Sequence, residues 1–190
     1  MVWVRSEYAG EFAVLSAWVS ALVPWSVSFA SQGGVSLAVV RFPLLSLQFL
    51  LGARIGGAER PLLPVWNAYA FPASEAVARA YLVWLGGAAV LGLALALSVV
   101  YYAADERLEE RLPVDPVRLM GGLLLATAVL LSASTAMLWG SFLGRAVPVG
   151  VLFLYALGYL LLVVERQDDA PTVPERPASV VEDRAPAAEE

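Results

Sequence analysis

Long runs without a single charge constrain this chain more than anything else in it. Such runs cover residues 12–40, 42–53, 80–104, 119–144 and 146–164, with a shorter one at 61–74. A helix needs about 20 mainly apolar residues to cross about 30 Å of hydrocarbon. The composition agrees: 59% of residues are apolar, mean hydropathy is +0.72, and a soluble domain holds about 45–50% apolar residues. The expectation is an all-α membrane protein. It would be a four-helix transmembrane bundle with spans at about 8–30, 79–102, 117–139 and 147–164.

Helix signals sit at the ends of these segments. Ser6 and Ser74 are N-cap candidates, each followed by a glutamate, where a carboxylate suits the helix dipole. Asp115-Pro116 combines an N-cap with a proline at the first helical position, and Pro148 is placed to start the last helix. Pro24 lies inside the first apolar run and predicts a kink or an early end there. Ser28-Phe29-Ala30 has the small-x-small form of a cleavage site. The residues before it carry Arg5 against Glu7 and Glu11, not a positive leader, so the first span is read as retained. Trp3, Tyr8, Trp25, Phe29, Tyr81, Trp84, Tyr101, Tyr102, Trp139 and Phe142 flank the segments, as an aromatic belt at headgroup depth would.

Residues 35–51 do not read as a span. Arg41 and Pro43 would fall near mid-membrane, where an arginine costs about 2.5–3.5 kcal/mol. Ser36, Ser46 and Gln48 occupy even positions, while Val35, Leu37, Val39, Leu45, Leu47, Phe49 and Leu51 occupy odd ones. That period of two predicts one long strand, or a hairpin turning near Arg41-Phe42-Pro43. A small extramembrane β-containing loop is therefore expected at 31–77, between the first and second spans. From Gly52 to Ser74 it is rich in glycine and proline and carries Trp66, Tyr69 and Phe71, read as a lid on the headgroups or the strands. Residues 105–111 read as a short charged helical stalk.

The charge is unevenly placed. Residues 1–164 hold 9 Arg and 9 acids, net zero, while 165–190 hold 3 Arg and 8 acids, net −5. The acidic, proline-containing end 165–190 is expected to be a disordered tail. All 12 basic residues are arginine. No basic cluster invites nucleic acid. With both termini cytoplasmic, six arginines fall inside (Arg5, Arg107, Arg111, Arg118, Arg166, Arg176) and five outside (Arg41, Arg54, Arg60, Arg79, Arg145), a lean toward that orientation.

Chemistry is sparse. The chain has no Lys, His or Cys, which removes thiolate and imidazole metal ligands and the usual bases for a serine nucleophile. No catalytic, cofactor-binding or metal-binding residue stands out, and no cofactor is expected. Ser16, Ser20, Ser98, Thr127, Ser132, Ser134 and Thr135 read as hydroxyls bonded within or between helices. Small residues at four-residue spacing (Ala13/Ala17/Ala21, Ala88/Gly92/Ala96, Gly122/Ala126, Ala128/Ser132/Ala136) read as helix-packing faces.

The arginine-only basic set, the acidic tail and several short motifs carry a resemblance. The motifs are Met1 to Glu11, Pro24-Trp25-Ser26, Val40-Arg41-Phe42-Pro43 and Val114-Asp115-Pro116-Val117-Arg118. Residues 1–164 resemble a group of small multi-pass haloarchaeal membrane proteins classed as a domain of unknown function. That resemblance implies a membrane location and transfers no site residue. The layout is also similar in topology to claudin-type bundles, without their paired cysteines. The function expected is that of a non-enzymatic integral membrane protein of the cell membrane. Besides the lipid bilayer, it would engage an extracytoplasmic or membrane protein partner through residues 31–77, or support a membrane complex, with a homo-oligomer open. The alternative is a small-solute transporter or channel component, with Arg41 and Gln48 as its polar path.

Overall fold

The computed structural model describes residues 3–52, 62–68, 74–103, 114–139, 145–163 and 165–167. Strand β1 (Trp3–Arg5) leads into helix α1 (Ser6–Leu22). Strands β2 (Ser26–Gln32), β3 (Val35–Arg41), β4 (Leu45–Leu51) and β5 (Leu62–Pro64) follow, then a single turn α2 (Val65–Ala68). Two long helices come next, α3 (Glu75–Ala103) and α4 (Pro116–Trp139). Strand β6 (Arg145–Val147), helix α5 (Val151–Val163) and strand β7 (Glu165–Gln167) complete the described chain.

This architecture overturns the all-α expectation. A five-stranded antiparallel sheet in the order β5-β4-β3-β2-β6 stands beside the helices. Only α3 and α4 are long and apolar enough to cross a membrane, among the described residues. The four-helix transmembrane bundle is thereby corrected at both of its shorter members. The first helix stops at Leu22, because Pro24 has no N–H to carry it on. Residues 26–30, assigned to the first span, are strand β2 instead. At the last span, Arg145–Val147 is drawn into the sheet as β6. That leaves α5 only 13 residues, about 20 Å at 1.5 Å per residue. Pro148 precedes α5 without starting it.

The two long helices begin as their sequences dictate. Ser74 Oγ accepts the Val77 N–H at 3.3 Å, and Asp115 Oδ1 accepts the Val117 N–H at 2.9 Å. Each side chain satisfies an amide that the helix cannot. Glu75 and Arg79 pair one turn apart on the surface.

Residues 35–51 are the hairpin of the two expected alternatives. Arg41 pairs with Ser46 across the turn, and the Phe42 N–H donates to Leu45 O at 2.7 Å. A second hairpin joins β2 to β3 through Gly33-Gly34, both with positive φ (62° and 82°). Two-residue turns of this kind match the twist of the strands and need residues free of a Cβ.

The core has two layers along the helices. At the sheet end, Trp25, Val77, Ala80, Tyr81, Trp84, Leu131, Leu138, Ala146 and Leu154 cluster. At the far end, Ala13, Leu91, Tyr101, Val117, Met120, Leu124 and Leu161 do so. Glycines set the closest approaches there. A Cβ on Gly10 would lie 2.6 Å from the Tyr101 ring, and one on Gly121 would lie 3.0 Å from Gly158 O. Of the four-residue repeats, Ala13, Ala17, Ala88 and Ala128 are buried, whereas Gly122 and Ala126 are exposed. Strand β1 pairs in parallel with β7 at Trp3–Arg5 and Glu165–Gln167. The remainder of the expected acidic tail, the 105–111 stalk, Tyr69 and Phe71 lie outside the described residues.

Candidate functional site

The most polar buried place in the described chain is the junction of sheet and helices. Alternation along each strand puts successive side chains on opposite faces. Register therefore assigns Ser26, Arg41, Ser46 and Leu63 to one cross-strand row, and Ser28, Val39, Gln48 and Ala146 to the next row on the same face. Ser26, Ser28, Arg41, Ser46, Val39 and Ala146 are all buried. This inner face holds the sheet's buried polar groups.

Arg41 has 0% of its surface exposed. Its Nη1 donates to Ser28 Oγ at 2.6 Å, and its guanidinium lies 5.9 Å from the centre of the Tyr81 ring, within range of a cation–π attraction. Ser46 Oγ donates to Leu63 O at 3.4 Å. Two indoles tie the β3–β4 turn to the helices. Trp84 Nε1 donates to Pro43 O at 2.9 Å, and Trp25 Nε1 donates to Phe42 O at 3.2 Å. The two indole rings stand 5.9 Å apart, with Tyr81 edge-on to Trp84 at 5.7 Å. Main-chain bonds extend the joint: Trp25 N–H to Arg41 O, Gly150 N–H to Trp25 O, and Val65 N–H to Leu44 O. A buried cation among hydroxyls and an aromatic face can hold the turn in place. It offers no base beside a nucleophile.

The aromatic residues read as a belt divide in two. Trp25, Tyr81, Trp84 and Tyr101 are buried, whereas Tyr8, Phe29, Tyr102 and Trp139 are exposed. The buried ones include the junction residues that sequence reasoning missed. Their signal was present: Trp25 follows Pro24, where the helix stops, and Tyr81, Trp84 and Ala88 recur at helical spacing. Arg41 and Gln48, paired in the transport alternative, do share the inner face, in adjacent rows.

The helical hydroxyls expected to be bonded divide: Ser16 and Ser20 on α1 are buried with no hydrogen-bond partner among the described residues, while those on α3 and α4 are bonded. Ser98, Thr127, Ser132 and Thr135 donate to carbonyls three or four residues back in their own helices. Ser134 instead crosses to Ala80 O on α3 at 2.9 Å. Among the described residues there is no group of three His, Cys, Asp or Glu side chains that could hold a metal ion.

The opposite, outer face of the sheet is mainly apolar. Its rows in register are Val147-Val27-Val40-Leu47-Leu62, then Arg145-Phe29-Ala38-Phe49, then Ser31-Ser36-Leu51. Phe29 is 65% exposed and Phe49 46%. A family profile spans this whole arrangement, from β1 into β7, matching residues 2–166. The chain belongs to a family of unknown function, DUF7549. The DUF7549 match takes in the sheet, the junction and both long helices together. No curated protein matches the chain.

Proposed function

We propose that this DUF7549 chain is a non-enzymatic integral membrane protein that supports a membrane assembly. The observation that carries this reading is the outward surface of the helices. Leu82, Leu93, Val99 and Val100 on α3, Val129 and Met137 on α4, and Leu152, Phe153 and Leu162 on α5 are all exposed. Helices apolar both inside and outside belong in a larger apolar medium, and here α3 and α4 have the length for it. In this reading α3 and α4 cross the bilayer as an antiparallel pair, and α1 and α5 lie against them. Both chain ends face the cytoplasm, and the five-stranded sheet stands at the other surface. A supporting role is favoured over catalysis because the chain has no Lys, His or Cys, and four of its helical hydroxyls are bonded to their own backbone.

The test is to express the full chain and wash its membranes with alkaline carbonate, then extract them in mild detergent and measure particle mass. Retention through the wash, with a particle larger than one chain plus its detergent, is expected. Release by carbonate overturns the membrane placement. A monodisperse single chain overturns the supporting role.

A further inference from the structure

The sheet is inverted relative to a sheet that covers a water-soluble core. Ser26, Ser28, Arg41 and Ser46 are buried, and the large side chains exposed on the sheet are Phe29, Phe49, Leu51, Leu62 and Val147; Ser31 and Ser36 stand on the outer face near its tip. We infer that the outer face of the sheet is a lipid-contacting surface, seated in the interfacial layer of the membrane. This inference rests on the membrane placement proposed above.

Three observations select lipid as the occupant. The first is continuity. Trp18 and Leu22, exposed at the end of α1, lead into Phe29, and Val147 leads through Val149 into Leu152 and Phe153 of α5. Exposed apolar residues thus follow one another along the chain through both connections between helix and sheet. The second is the order of the rows. The aliphatic row lies at the end joined to the helices, the Phe29/Phe49 row is about 7 Å further along the strands, and the Ser31/Ser36 row lies next to the Gly33-Gly34 tip. Ser31 and Ser36 approach each other at 3.1 Å between their hydroxyls. Along β2 the order Val27, Phe29, Ser31 follows the polarity of a membrane from its core to its surface, while on β4 the last row ends in the exposed Leu51. The third is the chemistry of the anchors. The described side chains of this face include no Trp or Tyr, whereas protein interfaces draw their binding energy from Trp, Tyr and Arg in packed pockets.

The edges set the depth. Strands β5 and β6 have 3 residues each, and among the described residues they leave β4 and β2 partly unpaired at the sheet's edges. Open edges do not occur against hydrocarbon. The sheet therefore sits where water reaches its edges and acyl chains reach its face.

The chain has no cysteine, so single labels have no background. Phe29→Cys, Phe49→Cys and Ser31→Cys on the sheet, and Val129→Cys on α4, are each labelled with an environment-sensitive fluorophore. The full chain is placed in phosphatidylcholine vesicles. Quenching is read with lipids brominated on their acyl chains and with aqueous iodide. A several-fold excess of lipid over iodide quenching is expected at 29, 49 and 129, and the reverse at 31. Iodide quenching at 29 and 49, with lipid quenching kept at 129, overturns the inference alone. Protection of 29 and 49 from both quenchers, with unlabelled Phe29→Cys chains cross-linking to each other, assigns the face to a second copy and also overturns it. Loss of lipid quenching at 129 overturns the membrane placement itself.

Discussion

Helices and sheet solve burial in opposite ways. Along α3 and α4 the buried residues are mostly apolar, but so are the exposed ones: Leu91 faces in and Leu93 out, Ala128 in and Val129 out. Inward and outward positions are therefore poorly told apart by hydropathy. In the sheet the buried face carries hydroxyls and a guanidinium among Val39 and Ala146, whereas the exposed face carries Phe29, Phe49 and Val147, with serines only near its tip. The helices need no hydrophobic contrast if lipid surrounds them. The sheet, whose interior is polar, is held by directed bonds: Trp84 to Pro43, Trp25 to Phe42 and Arg41 to Ser28. The contrast predicts that the two regions fail by different substitutions.

The largest effect is expected at Trp84. Replacing it with Ala empties a fully buried site and leaves Pro43 O without its donor. Truncating a buried tryptophan costs about 3–5 kcal/mol. Chemical unfolding in detergent micelles measures it, with Trp84→Phe as the partner variant that keeps a ring and loses only the N–H. If both variants cost the same, the bond dominates the joint. If Phe restores most of the stability, packing does.

Arg41 sharpens the same contrast. Arg41→Ala removes the donor from Ser28 Oγ and the cation over Tyr81. A hydrogen bond from a charged group contributes about 1.5–3 kcal/mol, and the same unfolding measurement should show a loss of that size. Arg41→Met keeps the stem and loses the charge, and replacing buried charges by packed apolar groups is often close to neutral. A loss as large in Met as in Ala would show that the guanidinium, not the packed volume, orders the inner face.

What could be read from the sequence divides along the same line. Helices α3 and α4 were legible because charge-free runs of the right length start at Ser74 and at Asp115-Pro116, and local caps decide local structure. The 41–46 turn was legible from alternation and Pro43. The β2 strand was not, because residues 26–32 sit inside one charge-free run with α1, and hydropathy there masks the period of two in Ser26-Val27-Ser28-Phe29. The even and odd positions of residues 35–51 did not map onto two faces either. Arg41 pairs with Ser46, an odd position with an even one, so the turn exchanges the parities. Strand β6 exists only because Val27–Phe29 is there to pair with it, more than a hundred residues earlier in the chain, and that shortened α5. The junction was illegible for a related reason: Trp25, Trp84 and Arg41 look alike as apolar-flank residues until the fold brings them together.

The smallest effects test whether size alone governs the helices. A Cβ on Gly121 would lie 2.9 Å from Leu161 Cβ and 3.0 Å from Gly158 O, atoms that cannot swing aside. Gly121→Ala should therefore force α4 and α5 apart, at about 1–3 kcal/mol for overpacking. The next residue, Gly122, faces open space, with nothing near an added Cβ. Gly122→Ala should stabilise instead, by up to about 1 kcal/mol, since alanine orders a helix interior at lower entropic cost than glycine. Unfolding midpoints of the two neighbours, measured in the same detergent, should move in opposite directions. If both rise, the α4–α5 contact at Gly121 has slack and size does not set it. If both fall, the exposed side of α4 at Gly122 is covered by something larger than lipid, and the helices too would present a surface to a protein partner.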